Sequence, residues 1–193
     1  MAYVYSENRQ GNHPRSHLAK FDGVLQVDGY SGFGRLAGDH PKGAVKLAFC
    51  WAHVRRKFYE FHEAAGSPIA AEVLRRIAEI YAIEARVRGR SPDERRRILQ
   101  SETKPLVEAL KAWLEAELAR ISAKSALARA IRYALRHWHG LTLFLEDGRV
   151  ETDTNTVERS IRPIKLGRKN PPLRRLRRRR RELGDDRLAD PDR

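Results

Sequence analysis

The sequence predicts an α/β (α+β) fold with a large all-helical insertion, and three observations predict it. Two short apolar runs with β-branched residues, Val24 to Val27 and Val45 to Phe49, stand early in the chain. From Trp51 onward the apolar spacing changes to steps of three and four residues. Beyond an Asp147-Gly148 turn, a further short helix is signalled around Glu158. Strands, then a helical block, then one more helix is the order of a mixed domain interrupted by helices.

Each element has a local reason. Val24-Leu25-Gln26-Val27 closes at Asp28-Gly29 and reads as a short buried strand ending at a turn, which puts Asp28 at its carboxyl end. Val45 to Phe49 is the second strand. Trp51, Val54, Phe58 and Phe61 then mark one helical face, with Arg55, Arg56 and Lys57 between them. Pro68 to His139 reads as helical throughout. Its first stripe is Val73, Leu74, Ile77, Ile80 and Tyr81, and that helix should stop near Gly89. Ser91-Pro92-Asp93-Glu94 starts the next, with Ser91 as N-cap, Pro92 in the first turn and Glu94 completing a capping box. Pro105 should open a third stripe (Leu106, Leu110, Trp113 or Leu114, Leu118, Ile121), and Leu127, Ile131, Leu135 and Trp138 make a fourth. These stripes are read as core. Asp153-Thr154-Asn155 can cap the helix carrying Glu158, which Pro163 should end.

Composition narrows the function. With 193 residues, 41% hydrophobic and 33% charged, the chain suits one domain plus an appendage. The longest apolar run, Leu47 to Ala52, is far short of the ~20 residues of a membrane span, and Met1 to Glu7 has no signal-peptide pattern. A cytoplasmic protein without a membrane partner is expected. Cys50 is the only cysteine, which excludes an internal disulfide and zinc sites built on paired cysteines. The net charge of +14 is concentrated: Arg159 to Arg181 contains twelve Lys or Arg residues and no acid, leaving +2 for all the rest. Such a segment attracts polyanions by counterion release, nucleic acid first among them. It also reads as a solvated, disordered tail.

Among 25 acids, spacing alone does not single out Asp28 or Glu158. The wording around them does. The stretches His13-Pro14-Arg15-Ser16-His17-Leu18, Leu25-Gln26-Val27-Asp28-Gly29-Tyr30-Ser31-Gly32-Phe33, Cys50-Trp51-Ala52-His53-Val54-Arg55-Arg56-Lys57-Phe58 and Asn155-Thr156-Val157-Glu158-Arg159-Ser160-Ile161-Arg162-Pro163, followed by Leu166-Gly167-Arg168-Lys169-Asn170, together resemble the bacterial insertion-sequence-66 transposase family. The resemblance covers about residues 3 to 170. It implies a ribonuclease-H-like core of the DDE type, incomplete here, over residues 1–50, a helical insertion over 51–150 and a helix with the last carboxylate over 151–170, while composition marks 171–193 as a basic, disordered tail.

In that class three carboxylates hold two Mg²⁺ ions about 3.5–4 Å apart for in-line phosphoryl transfer on DNA. By resemblance Asp28 is the second carboxylate and Glu158 the third, both catalytic and metal-binding. Arg159, Arg162, Lys165, Arg168 and Lys169 are then candidates for DNA-phosphate contacts. Mg²⁺ is the implied cofactor and DNA the implied partner, with a second copy or a full-length transposase as a further one. Within the third block Trp51 is expected to pack and His53 to hydrogen-bond locally.

The chain also departs from the family. The first carboxylate should stand on an earlier strand, and the acids before Asp28 are Glu7 and Asp22, neither in that setting. Thr154 occupies a position where the family usually has a second Asn. After Asn170 a glycine-rich Leu-Phe-Ala-Gly-Ser segment is expected; codons chosen for Pro172 to Ala189 and read one nucleotide along can spell it. The expectation is therefore a truncated, inactive transposase fragment in which Arg177 to Arg181 is out-of-frame translation. The alternative is a non-catalytic nucleic-acid-binding or regulatory protein derived from a transposase.

Overall fold

The two apolar runs pair with each other. β1 (Gly23–Val27) and β2 (Val45–Phe49) are parallel and in register from Gly23 opposite Val45 to Val27 opposite Phe49. The structure, a computed structural model, describes residues 12–27, 33 and 45–153. Among these, the sheet has two strands, preceded by a short helix α1 (Asn12–His17) that the apolar pattern did not signal. Parallel strands need a crossover rather than a tight turn, and the residues joining β1 to β2 lie almost wholly outside the described set.

Helices follow: α2 (Trp51–Ala65), α3 (Pro68–Val87), α4 (Pro92–Ile98), one π turn (Leu99–Thr103), α5 (Lys104–Arg120), α6 (Ala126–Arg136), α7 (Trp138–Leu141) and α8 (Leu143–Glu146). Three serines start them. The hydroxyls of Ser67, Ser91 and Ser125 accept hydrogen bonds from the amides of Ala70, Glu94 and Ala128 at 3.3, 3.4 and 3.0 Å, each such cap contributing about 1 kcal/mol. Gly66, in the left-handed conformation at φ 58°, ends α2. The apolar stripes meet in one core, where Trp51, Phe58, Ile77, Ile80, Leu110, Leu114, Ile131 and Phe144 are buried together. Among the described residues, no helix is long and apolar enough to cross a membrane.

Helix α7 lies directly on β2. A β-carbon at Gly140 would overlap the Phe49 ring and the Leu47 carbonyl, so only glycine permits this approach. Trp51 secures the same corner. Its indole N–H donates to the Leu141 carbonyl at 2.8 Å, and its ring meets Trp138 edge-on at 5.7 Å.

Three details differ from the sequence reading. Pro105 stands in the first turn of α5, as the stripe implied, but no break precedes it: α4 runs into α5 through the π turn, with the Lys104 amide donating to the Leu99 carbonyl. Proline lacks an amide hydrogen and crowds the preceding turn, and a wider turn absorbs both effects. The capping box at Ser91 is half made, because the Glu94 carboxylate is taken up by Arg90 instead. The buried row of α5 is Val107, Leu110 and Leu114, with Leu106, Trp113 and Leu118 packed at its margin.

The most polar part of the core joins distant elements. Arg95 and Glu84 are both buried and hydrogen-bonded at 2.9 Å, and the Arg95 guanidinium also donates to the carbonyls of Gly148 at 2.8 Å and Val150 at 3.4 Å. A buried charge persists only when paired and solvated by polar groups. Arg95 thereby ties α4 to α3 and to the turn that follows α8. The backbone divides into units Met1–Thr154 and Asn155–Arg193, and every described residue belongs to the first. The expected helix around Glu158 and the basic tail lie outside the described residues.

Candidate functional site

The site read from the sequence belongs at the carboxyl end of the strands. β1 ends at buried Val27, the residue before Asp28, and its neighbour β2 ends alongside at Phe49. In an open parallel sheet, reactive groups gather in the loops that leave this edge. Buried Cys50 follows β2 and occupies the N-cap position of α2.

The chain returns to the same edge before it reaches Glu158. The Gln26 amide donates to the Glu151 carbonyl at 2.7 Å, and the Trp51 backbone N–H donates to the Thr152 carbonyl at 3.1 Å. Val150, Thr152 and Asp153 are buried there. These bonds form because a polar backbone entering the core must find partners, and the ends of β1 and β2 supply them.

Asp153 was legible only as a capping residue. It is buried beside the phenol of Tyr81 from α3. Burial pushes the Tyr81 phenol above its ordinary range, and Asp153 adds to the shift as a negative charge and a hydrogen-bond partner. The thiol of Cys50 acts in the same direction and the guanidinium of Arg55 in the opposite one. Tyrosine therefore stays protonated and able to donate. Neither Tyr81 nor Arg95 was foreseen in a polar role, since each sits on a helix whose pattern advertises only an apolar or a charged face.

Asp28, Glu158, Arg159, Arg162, Lys165, Arg168 and Lys169 lie outside the described residues. Asp22, just before β1, is exposed. Trp51 packs, as its neighbourhood suggested. Among the described residues, no group of three or more His, Cys, Asp or Glu side chains could hold a metal ion. A cleft of about 520 Å³ opens at the other end of the strands, where Lys46, Arg96 and Arg149 alternate with Asp93, Glu146 and Asp147. Its lining carries three cations and three acids.

Comparison with known proteins agrees with the sequence blocks. Residues 1–175 match the family described as Transposase IS66 family. The uncharacterized protein y4jD of Sinorhizobium fredii (strain NBRC 101917 / NGR234) is 44% identical over 173 residues, which is 88% of this chain and 34% of that protein. The uncharacterized protein y4qI of the same strain is 41% identical over 174 residues, 88% of this chain and 32% of its own length. Protein y4hP, also uncharacterized, is 39% identical over 181 residues, 87% of this chain and 33% of its own. The chain spans about a third of the length of these curated relatives. No solved structure matches. With the family matched over most of its length, this chain belongs to the IS66 transposase family.

Proposed function

We propose that this chain carries part of the catalytic apparatus of DNA transposition, with Asp28 and Glu158 as the second and third carboxylates of a DDE site on a ribonuclease-H-like core. The observation that supports this reading most is the meeting of two segments at one sheet edge. Val27 leads into Asp28, and residues 151–153, which lead toward Glu158, are hydrogen-bonded to Gln26 of β1 and to Trp51 after β2. The family implies a divalent metal, and carboxylate oxygens are the hard ligands that suit Mg²⁺. When bound, Mg²⁺ activates the attacking oxygen and stabilises the leaving one in a phosphoryl transfer. Asp28 and Glu158 would hold it, while Arg159, Arg162, Lys165, Arg168 and Lys169 contact DNA phosphates.

In this class three carboxylates hold the metal, and Asp28 and Glu158 would supply two of them, with a second copy or a full-length transposase as a further partner on DNA. The family match stops at residue 175, leaving Arg177 to Arg181 outside it, in keeping with out-of-frame translation of that run. Its charge still favours sequence-independent DNA binding.

Nicking of supercoiled DNA in Mg²⁺ tests the assignment. Residual nicking by the chain should vanish in Asp28→Asn and in Glu158→Gln. Grafting residues 1–170 into the matching part of y4jD should give a chimera whose transposition depends on both. Cleavage or transposition that survives both substitutions would sink the assignment.

A further inference from the structure

We propose that the outer face of α2 and α6 binds the sugar–phosphate backbone of duplex DNA through Lys57, Arg129, Arg132 and Arg136. The proposal rests on DNA as the partner in the reading above, but uses residues different from those assigned there.

Charge pairing separates this face from the rest of the helical block. Along α3 to α5, most cations have carboxylates of their own: Arg75 with Glu72 and Glu79, Arg76 with Glu72, Arg86 with Glu102, Arg90 with Glu94, Arg95 with Glu84, Lys111 with Glu115, and Arg120 with Glu117, the exceptions being Arg88, Arg96, Arg97 and Lys104. On α2 and α6, no carboxylate among the described residues forms an ion pair with Lys57, Arg129, Arg132 or Arg136. On α6 the sequence explains why. Between Glu117 and Glu146 there is no acid at all.

The cations share one side of α6. Arg129, Tyr133 and His137 follow one another at steps of four, and Arg132 and Arg136 form the adjoining row. The opposite side, with Leu127, Ile131 and Ala134, is sunk in the core. Lys57 of α2 joins the rows, its ammonium 4.4 Å from the Tyr133 ring centre. Tyr133 lies 4.5 Å from His137, which meets Phe49 of β2 edge-on at 4.4 Å, so the platform is anchored to the sheet. Arg129 donates one N–H to the Lys124 carbonyl at 2.9 Å, and Arg132 donates one to that of Ala123. Each guanidinium keeps further N–H groups for a ligand.

The repulsion in these rows calls for an external anion. Like charges three and four residues apart destabilise a helix, and among the described residues no carboxylate forms an ion pair with these four. Arginine forks match phosphate oxygens. Arg129 to Arg136 spans about 10 Å of helix, the axial length of about three phosphates on one strand. A protein partner fits less well, since four cations surround the half-buried Tyr133 ring and the cores of protein interfaces are depleted in charged residues.

Fluorescence anisotropy of a labelled duplex of arbitrary sequence, titrated with the full chain over a range of salt, counts the phosphates contacted. The triple variant Arg129→Gln/Arg132→Gln/Arg136→Gln should flatten the slope of log K against log salt by about 2 to 3, since each lost contact removes about 0.9. Arg75→Gln/Arg86→Gln/Arg90→Gln removes the same charge from the paired face and should leave the slope unchanged. Lysine at the three α6 positions should restore most of it. Arg136→Gln alone, at an exposed side chain, should cost about 1 and guards against a triple variant that fails to fold. Equal losses in both glutamine triples, or none in the α6 variants, overturns the proposal. Failure of the catalytic reading shows separately, as cleavage unaffected by Asp28→Asn and Glu158→Gln while the slopes still differ.

Discussion

Arg95 and Arg136 are both helix arginines, two helices apart, yet their settings are opposites. Arg95 is buried, holds Glu84 and two carbonyls, and ties three segments together. Arg136 is exposed near the end of α6, beside Arg132 and Arg129, with no acid in reach among the described residues. The same contrast separates the ion-paired cations of α3 to α5 from Lys57, Arg129, Arg132 and Arg136. Where cations face their own carboxylates, the surface is complete in itself. Where they face each other, folding leaves a standing repulsion that a polyanion can relieve.

The largest expected effect lies at the buried pair. Glu84→Ala strands the Arg95 guanidinium in the core and should cost about 3–5 kcal/mol in chemical denaturation, whereas Arg136→Ala should change stability little; similar losses in both would erase the distinction. Next comes the joint under the basic platform. Gly140→Ala must push aside the Phe49 ring and the Leu47 carbonyl, for a loss of about 1–3 kcal/mol in the same measurement. Smaller, but of opposite sign, is Arg129→Glu. A carboxylate near the start of α6 suits the helix dipole and Arg132, so stability should rise by about 0.5 kcal/mol at low salt while affinity for DNA falls.

The smallest effect is in acid. The guanidinium of Arg149 holds the Asp147 carboxyl down at about 2, and Arg75 and Arg76 do the same for Glu72. Their folded values are depressed, so the stability they contribute is present above the ordinary carboxylate range and is lost as pH falls toward 2. Asp147→Asn should flatten the melting temperature between pH 4 and pH 2, roughly the span between ordinary and depressed values. No such flattening is expected from changes on α6, which has no acid to titrate.

Much of this was legible beforehand where one period dominates. The alternation to β-branched runs located both strands, the stripes Val73-Ile77-Ile80 and Leu127-Ile131 located buried faces, and Ser91 with Pro92 located a helix start. What periodicity misses are events that depend on two distant segments. The π turn answers to Pro105, whose effect on a continuous helix cannot be separated locally from that of a helix start. Glu84 and Arg95 look like solvated charges until α3 and α4 are brought together. At the candidate site, Asp28 and Glu158 stood out through their neighbours in sequence, while the Tyr81–Asp153 contact needed the fold, because the phenol comes from the middle of α3 and the carboxylate from beyond the last helix.

The hydrogen bond from the Trp51 amide to the Thr152 carbonyl closes that block. The chain leaves the sheet at Trp51 and returns at Thr152 within the reach of one backbone contact, while Gly140 between them keeps the block seated on β2. Insertions far from that seat would leave the strand ends in place, because the cost of closing a loop grows only slowly with its length.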